Sequence, residues 1–368
     1  MTRIPVVWLC GPPGVGKTAV AWDIYRRLLR AKRAPAYVDV DQLGMCYPES
    51  AIDPARHMLK ARNVGVVRTE FSAAGAQCLV VSGVVDANRG PDANAVGGGE
   101  IIVCRLRVDP AELVARLGGR RGSFAQPDSA VREAERLDQS SIADFGVDTT
   151  GLTVNEVADR VLAHIGDWPH PIVERDVPLP DEAGGDAGPA AVLWLCGPTG
   201  VGKSTVGFNA YVKVLRSGVR TAYLDVDQLA FGGASSGDHH IRARNLAGLC
   251  RNFRAAGAEA VVVVGPVATV SDTRVYEASL SATAFTWCRL HADQPELTRR
   301  ILSRRDGGSW AQPGDPLRGR PIEDLLEVAA NAARREHTDV GLRIDVDGLT
   351  VDQAADSILA RTRWPAAR

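Results

Sequence analysis

Apolar runs recur along the chain, each leading into a stretch where apolar positions return every three or four residues. Runs at 6–10 and 192–196 are followed by glycine-rich turns and then by helical periodicity. Second strands are expected at 36–40 and 222–226, and helices over 60–74 and 241–256. Third strands are expected at 78–85 and 260–267, and fourth strands at 101–106 and 285–290, ahead of helices beginning near Glu112 and Glu296. Strands apolar on both faces and alternating with helices predict a parallel sheet covered on both sides. The expected fold is α/β, and the pattern occurs twice.

The second occurrence copies the first. Lys203 follows Lys17 by 186 residues, and Asp227 follows Asp41 by the same interval. The interval falls to 182 at Arg62 and Arg244, so the first copy has four extra residues after its DVDQL motif. It is 184 between Cys104 and Cys288 and 196 between Trp168 and Trp364. Six matched strings keep one order: AYVDVDQL with AYLDVDQL, KARN with RARN, AAGA with AAGA, CRL with CRL, SFAQP with SWAQP, and GLTV with GLTV. A repeat this long is a domain rather than a solenoid unit. The expected division is a domain over 1–168, a linker over 169–190 rich in Pro, Gly and acids, and a domain over 191–368.

Composition narrows the class. With 368 residues, 45% hydrophobic and 24% charged, the chain suits two soluble domains. No run of about 18 apolar residues predicts a membrane span, and the N-terminus runs straight into a strand without the pattern of a signal peptide. A cytoplasmic location is expected. The seven cysteines form no CxxC pair, which argues against a metal site or a disulfide framework. Cys10 and Cys196 end apolar runs, where a small buried thiol serves packing. A net charge of −1 with dispersed basic residues gives no basis for a nucleic-acid partner.

The chemistry is carried by two motifs. Gly11–Thr18 (GPPGVGKT) and Gly197–Ser204 (GPTGVGKS) fit G-x-x-x-x-G-K-[ST]. Gly11, Gly14, Val15, Gly16, Gly197, Gly200, Val201 and Gly202 would present amides to phosphates at a helix N-terminus. Lys17 and Lys203 would reach the β and γ phosphates, and Thr18 and Ser204 would offer hydroxyls to Mg²⁺. The second motif pairs Asp39 with Asp41 and Asp225 with Asp227. Residues two apart on a strand face one side, so each pair would project together at the strand's C-terminal end, where ligands bind in open α/β sheets. The pairs could organise Mg²⁺ and orient or deprotonate an acceptor hydroxyl; a helix cap is the other reading. The third strands, LVVSGVV and VVVVGPV, lack the acid that a mechanical NTPase uses to hold metal.

A phosphate loop, a D-x-D after the second strand, an Arg-bearing helix and a late Arg-rich segment together resemble the small P-loop kinases, the group of gluconate, shikimate and adenylylsulfate kinases. The resemblance covers nearly all of both copies. It implies that Asp39, Asp41, Asp225 and Asp227 contact acceptor and metal, with Asp39 and Asp225 on the metal. It implies acceptor binding by Arg62 and Arg244, and lid arginines at Arg120, Arg121, Arg304 and Arg305, with Arg120 and Arg304 on the transferring phosphate. Arginine suits that role because its planar fork binds phosphate oxygens bidentately. The chain departs from shikimate kinases in having Gly83 and Gly265 alone after the third strand, and Gly97, Gly98 and Gly99 are expected in a loop. Asp86 stands opposite Ala268, Arg274 has no counterpart, and the copies differ around His57, His239 and His240. These differences fall where an acceptor would bind.

The expected function is transfer of the γ-phosphoryl group of ATP to a hydroxyl of a small polar metabolite or natural product, with ATP and Mg²⁺ as cofactors. The expected partners are a small-molecule acceptor, the other domain of the pair and, as a further option, a second copy of the chain. The alternative is a nucleotide-binding regulatory or scaffold protein with one or both copies silent.

Overall fold

The computed structural model describes residues 3–118, 126–169, 191–232, 238–305, 315, 317–334 and 339–365. The first half runs β1 (Val6–Cys10), α1 (Lys17–Arg30), β2 (Pro35–Asp39), α2 (Val40–Leu43), β3 (Cys46–Tyr47), α3 (His57–Ala73), β4 (Cys78–Ser82), β5 (Ile101–Arg107), α4 (Pro110–Gly118), α5 (Pro127–Asp138), β6 (Phe145–Asp148) and α6 (Val154–Ile165). The second half runs β7 (Ala191–Cys196), α7 (Lys203–Arg216), β8 (Thr221–Asp225), a 3₁₀ turn (Val226–Leu229), α8 (His239–Ala255), β9 (Ala260–Val264), α9 (Val270–Ser279), β10 (Ala284–His291), α10 (Gln294–Ser303), α11 (Ile322–Arg334), β11 (Leu342–Asp345) and α12 (Val351–Thr362). The GLTV matches begin α6 and α12, where Thr153 with Glu156, and Thr350 with Gln353, form reciprocal capping boxes.

Two compact units result, and neither is continuous in sequence. Unit 1 takes the chain up to Gly44, resumes at Asp53, and includes a piece beginning at Ala230. Unit 2 contains Met45–Ile52 with the rest of the second half. The sheet of unit 1 has the order β2-β4-β1-β5-β6, all parallel. Unit 2 has β11-β10-β7-β9-β8-β3, parallel except for β3, which runs antiparallel to β8.

The central strands are buried on both faces, as their apolar runs require. Val6–Cys10 and 192–196 have almost no exposed surface. Burying each such Val or Leu side chain contributes roughly 1.5–3 kcal/mol. Trp8 and Trp194 are buried at matching places and donate from Nε1 to Gly83 O and Gly265 O, both at 3.4 Å. All seven cysteines are buried and none forms a disulfide; burial pushes the thiols of Cys10 and Cys196 up to about 11.

The third strands stop at Ser82 and Val264, three residues short of their expected ends. Beyond them the chain passes close to the DVD turn, and a Cβ on Gly83 or Gly265 would lie 2.2 Å from Val40 Cγ2 or 2.1 Å from Val226 Cγ2. The second strands also stop one residue early. Asp39 and Asp225 are their last residues, and Asp41 and Asp227 sit in a helical turn and a 3₁₀ turn. The two carboxylates of each motif therefore do not share a strand face. Of the expected linker, only Pro169 is among the described residues.

Candidate active site

The glycine loops lie between β1 and α1 and between β7 and α7. Their shape depends on glycine, since Gly11 and Gly197 have φ of 146° and 138° and a Cβ on either would meet the carbonyl oxygen of Leu106 at 2.6 Å or of Leu290 at 2.5 Å. Gly14, Gly16, Gly200 and Gly202 also have positive φ. Lys17 Nζ donates to the carbonyls of Gly11 (2.9 Å) and Pro12 (3.0 Å), and Lys203 Nζ to those of Gly197 (3.0 Å) and Pro198 (3.1 Å). Burial pulls both ammonium groups below the ordinary lysine range, opposed by Asp41, Glu133 and Asp39 around Lys17 and by Asp227 and Asp225 around Lys203.

The first carboxylate of each motif joins strand to loop. Thr18 Oγ1 donates to Asp39 Oδ2 (2.8 Å), and Ser204 Oγ donates to Asp225 Oδ2 (2.9 Å). Ser82 Oγ also donates to Asp39 Oδ2 (3.1 Å). The other oxygen caps the following turn, accepting from Asp41 N (2.9 Å) or Asp227 N (3.0 Å). One oxygen of Asp39 thus caps the turn while the other meets the loop hydroxyl. Burial, then the charge of Asp41, raises the carboxyl of Asp39 above its usual range.

The second carboxylate faces outward. The side chain of Asp41 is 48% exposed, and Lys60 Nζ donates to its Oδ1 at 2.8 Å. Burial alone would raise Asp41, but at this half-open position the pull of Lys60, Lys17 and Arg56 decides, and the carboxyl lies below its usual range. In unit 2 Arg242 Nη2 lies 3.3 Å from Asp227 Oδ1. Lys60→Met is expected to move the acid limb of the kcat/KM profile of unit 1 to higher pH, because Asp41 loses the cation that holds its pKa down. A limb that stays in place would remove Asp41 from the titrating groups.

Arg62 and Arg244 are exposed on α3 and α8, two residues beyond Lys60 and Arg242. On a helix this is a rotation of roughly 200°, the far side from the carboxylates. Arg120 and Arg121 lie outside the described residues. Arg304 is the C-cap of α10, with Nε and Nη2 at 3.1 and 2.7 Å from Asp315 Oδ2, and its charge bears on Lys203.

Two arginines that the sequence reading missed brace the loops. Arg116 on α4 donates from Nη1 to Val15 O (3.2 Å) and from Nη2 to Thr149 O (2.9 Å), with Glu112 held by the same fork. Arg300 on α10 repeats the arrangement with Val201 O (2.6 Å), Val346 O (3.2 Å) and Glu296. Arg299 and Arg300 hold Glu296 down to about 2. Arg116→Met or Arg300→Met is expected to weaken nucleotide binding in its own unit about 10-fold or more, from the loss of charge-assisted bonds worth roughly 1.5–3 kcal/mol. Titration calorimetry with ATP in each variant checks this, and unchanged affinity would reduce both residues to surface pairs.

The surroundings of the second carboxylate differ between units. His57 and His239 begin α3 and α8, one turn before the paired cations. His239 Nδ1 lies 2.8 Å from Tyr276 OH, and Asp272 is 3.8 Å from its Nε2. Tyr276 stands on α9, between β9 and β10; unit 1 has a loop between β4 and β5, with Gly97, Gly98 and Gly99 in it, and there His57 Nδ1 is buried without a hydrogen bond. Burial pulls both imidazoles below the ordinary histidine range.

The hydroxyl-carboxylate pairs Thr18–Asp39 and Ser204–Asp225 fit Mg²⁺, which takes one or two protein oxygens and completes its shell with phosphates and water. Among the described residues no cluster of three His, Cys, Asp or Glu forms a metal cage, and no helix is long and apolar enough to cross a membrane.

Two family models match the chain. Residues 7–138 match one described as an AAA domain, and residues 189–306 match one described as adenylylsulphate kinase. No curated protein matches. Similar solved structures include a sugar kinase from a Janibacter species, 15% identical over 45% of this chain and 96% of that one, with a TM-score of 0.34. A gluconokinase from Sinorhizobium meliloti is 16% identical over 44% and 92% (TM-score 0.32). The Mycobacterium tuberculosis APS kinase, in complex with AMPPNP and APS, is 20% identical over 48% and 99% (TM-score 0.31). With a glycine-loop lysine, a hydroxyl and paired carboxylates recurring in both, the chain carries two α/β P-loop units, the second similar to adenylylsulphate kinase over residues 189–306.

Proposed function

We propose that this chain is an ATP-dependent phosphotransferase that moves the γ-phosphoryl group to a hydroxyl of a small polar metabolite or natural product, in the cytoplasm, with both units equipped for the step. The observation that carries this is the line repeated in each unit: a loop lysine, a hydroxyl on the first carboxylate, and a second carboxylate held by a cation. An exposed second carboxylate is what an acceptor needs and what a purely structural cap does not.

In this reading the loop amides with Lys17 and Lys203 bind the phosphates. Thr18 with Asp39, and Ser204 with Asp225, would hold Mg²⁺, which neutralises β and γ oxygens when bound. Asp41 and Asp227 orient the acceptor hydroxyl and accept its proton as its oxygen bonds to the γ phosphorus and the β–γ bridge breaks. Arg120 and Arg304 stabilise the transferring group. The acceptor role expected of Arg62 and Arg244 passes to Lys60 and Arg242, which face the carboxylates. His239 with Tyr276 and Asp272 in unit 2, against His57 in unit 1, supports different acceptors for the two units.

Coupled ADP release with Mg·ATP over sugar acids, cyclitols, nucleosides, adenylylsulfate and hydroxylated antibiotics tests the proposal. The expected result is acceptor-dependent release, with Lys17→Ala and Lys203→Ala removing release for different compounds. Nucleotide binding with no acceptor-dependent release from any class would favour a regulatory protein.

A further inference from the structure

Each unit is finished by a piece of the other half of the sequence, and the two pieces are equivalents. Tyr37 N donates to Phe231 O at 2.7 Å in unit 1, and Tyr223 N donates to Met45 O at 2.9 Å in unit 2. Tyr223 follows Tyr37 by 186 residues, and Phe231 follows Met45 by 186. The same backbone bond is therefore made twice, each time to the opposite copy.

Side chains follow the backbone. In unit 1 Phe231 joins an aromatic cluster, 4.9 Å from Trp22 and 6.0 Å from Tyr37, and Gly232 bridges to Ala36. A Cβ on Gly232 would lie 2.3 Å from Phe71, so the piece fits only with glycine there. In unit 2 the equivalent cluster is Phe208, Tyr211 and Tyr223. There β3 pairs with β8, Cys46 is buried, and Met45 and Tyr47 pack against the core. Both pieces cover the backbone of a sheet edge that would otherwise present unpaired N–H and C=O groups.

We propose that the two halves are interlocked by this reciprocal exchange, so that neither half alone makes a complete unit and the covalent linker is dispensable for holding them together. The surface involved is the outer edge of β2 or β8, and its partner is the segment after the DVDQL motif of the other copy. The chain changes unit directly after each of these turns, between Gly44 and Met45 and between Leu229 and Ala230.

The test uses the full chain with a protease site inserted between residues 175 and 185. After cleavage the two fragments are expected to elute as one particle at sub-micromolar concentration; elution as two separate species would overturn the proposal. Ala222→Cys then checks the pairing itself. Met45 and Tyr223 form a hydrogen-bonded pair, so the adjacent Cys46 and Ala222 form a close, non-hydrogen-bonded pair whose separation suits a disulfide. Oxidation of the cleaved Ala222→Cys protein is expected to join the fragments covalently, and Cys46→Ser in the same background is expected to abolish the link. Fragments that stay unlinked, or that link without Cys46, would show that the segment pairs elsewhere.

Discussion

Replacing Lys17 and Lys203 together by alanine is expected to remove acceptor-dependent ADP release, with each single variant silencing its own unit by about 10²–10³ in kcat/KM, the range for losing one preorganised electrostatic contact in a site. Lys17 is buried and Lys203 half-buried, and each bonds two carbonyls of its own glycine loop. Their charge also offsets the neighbouring carboxylates. Truncation leaves two carbonyls without a donor, at about 1–3 kcal/mol, so a thermal melt must accompany the kinetics. A folded double variant that keeps wild-type turnover would remove the loops from the chemistry.

The second large effect is expected from Asp41→Asn and Asp227→Asn: turnover falls on the order of 10²-fold or more, the lower range for a lost general base, while the ATP dissociation constant changes little. The separation follows from the geometry. Asp39 and Asp225 bond the loop hydroxyl and cap the turn, so changing them disturbs nucleotide site and fold together. Asp41 and Asp227 each pair with a cation and are about half exposed, so Asn keeps the packing and loses the base. Stopped-time ADP assays with calorimetry on the same samples separate the two quantities. If turnover survives in both variants, neither carboxylate acts on the acceptor.

Much of this site is written locally in the chain. The loops need glycine where a Cβ would strike a carbonyl, and the lysine and hydroxyl follow at fixed spacing. Helical phase was the harder part. Along α3, Lys60 shares a face with Val64, Val67 and Phe71, and along α8, Arg242 shares one with Leu246, Leu249 and Phe253, all buried. That pattern, which was readable, puts Lys60 and Arg242 toward the sheet and Arg62 and Arg244 away from it. Arg116 and Arg300 were hidden differently: spaced four residues from Glu112 and Glu296, they look like surface ion pairs, and only the fold brings Val15 O and Val201 O to them. The exchange could not be read from sequence at all. Phe231 and Met45 occupy equivalent positions, and either aromatic cluster would accept a residue from its own copy on local grounds.

Phosphoryl transfer to a small molecule is tested by incubating the protein and [γ-³²P]ATP with a small-molecule extract and separating the labelled compounds. A new labelled species below 1 kDa is expected, absent with the Lys17→Ala/Lys203→Ala protein. Label found only in ATP and inorganic phosphate, from a protein that binds ATP, would contradict that transfer.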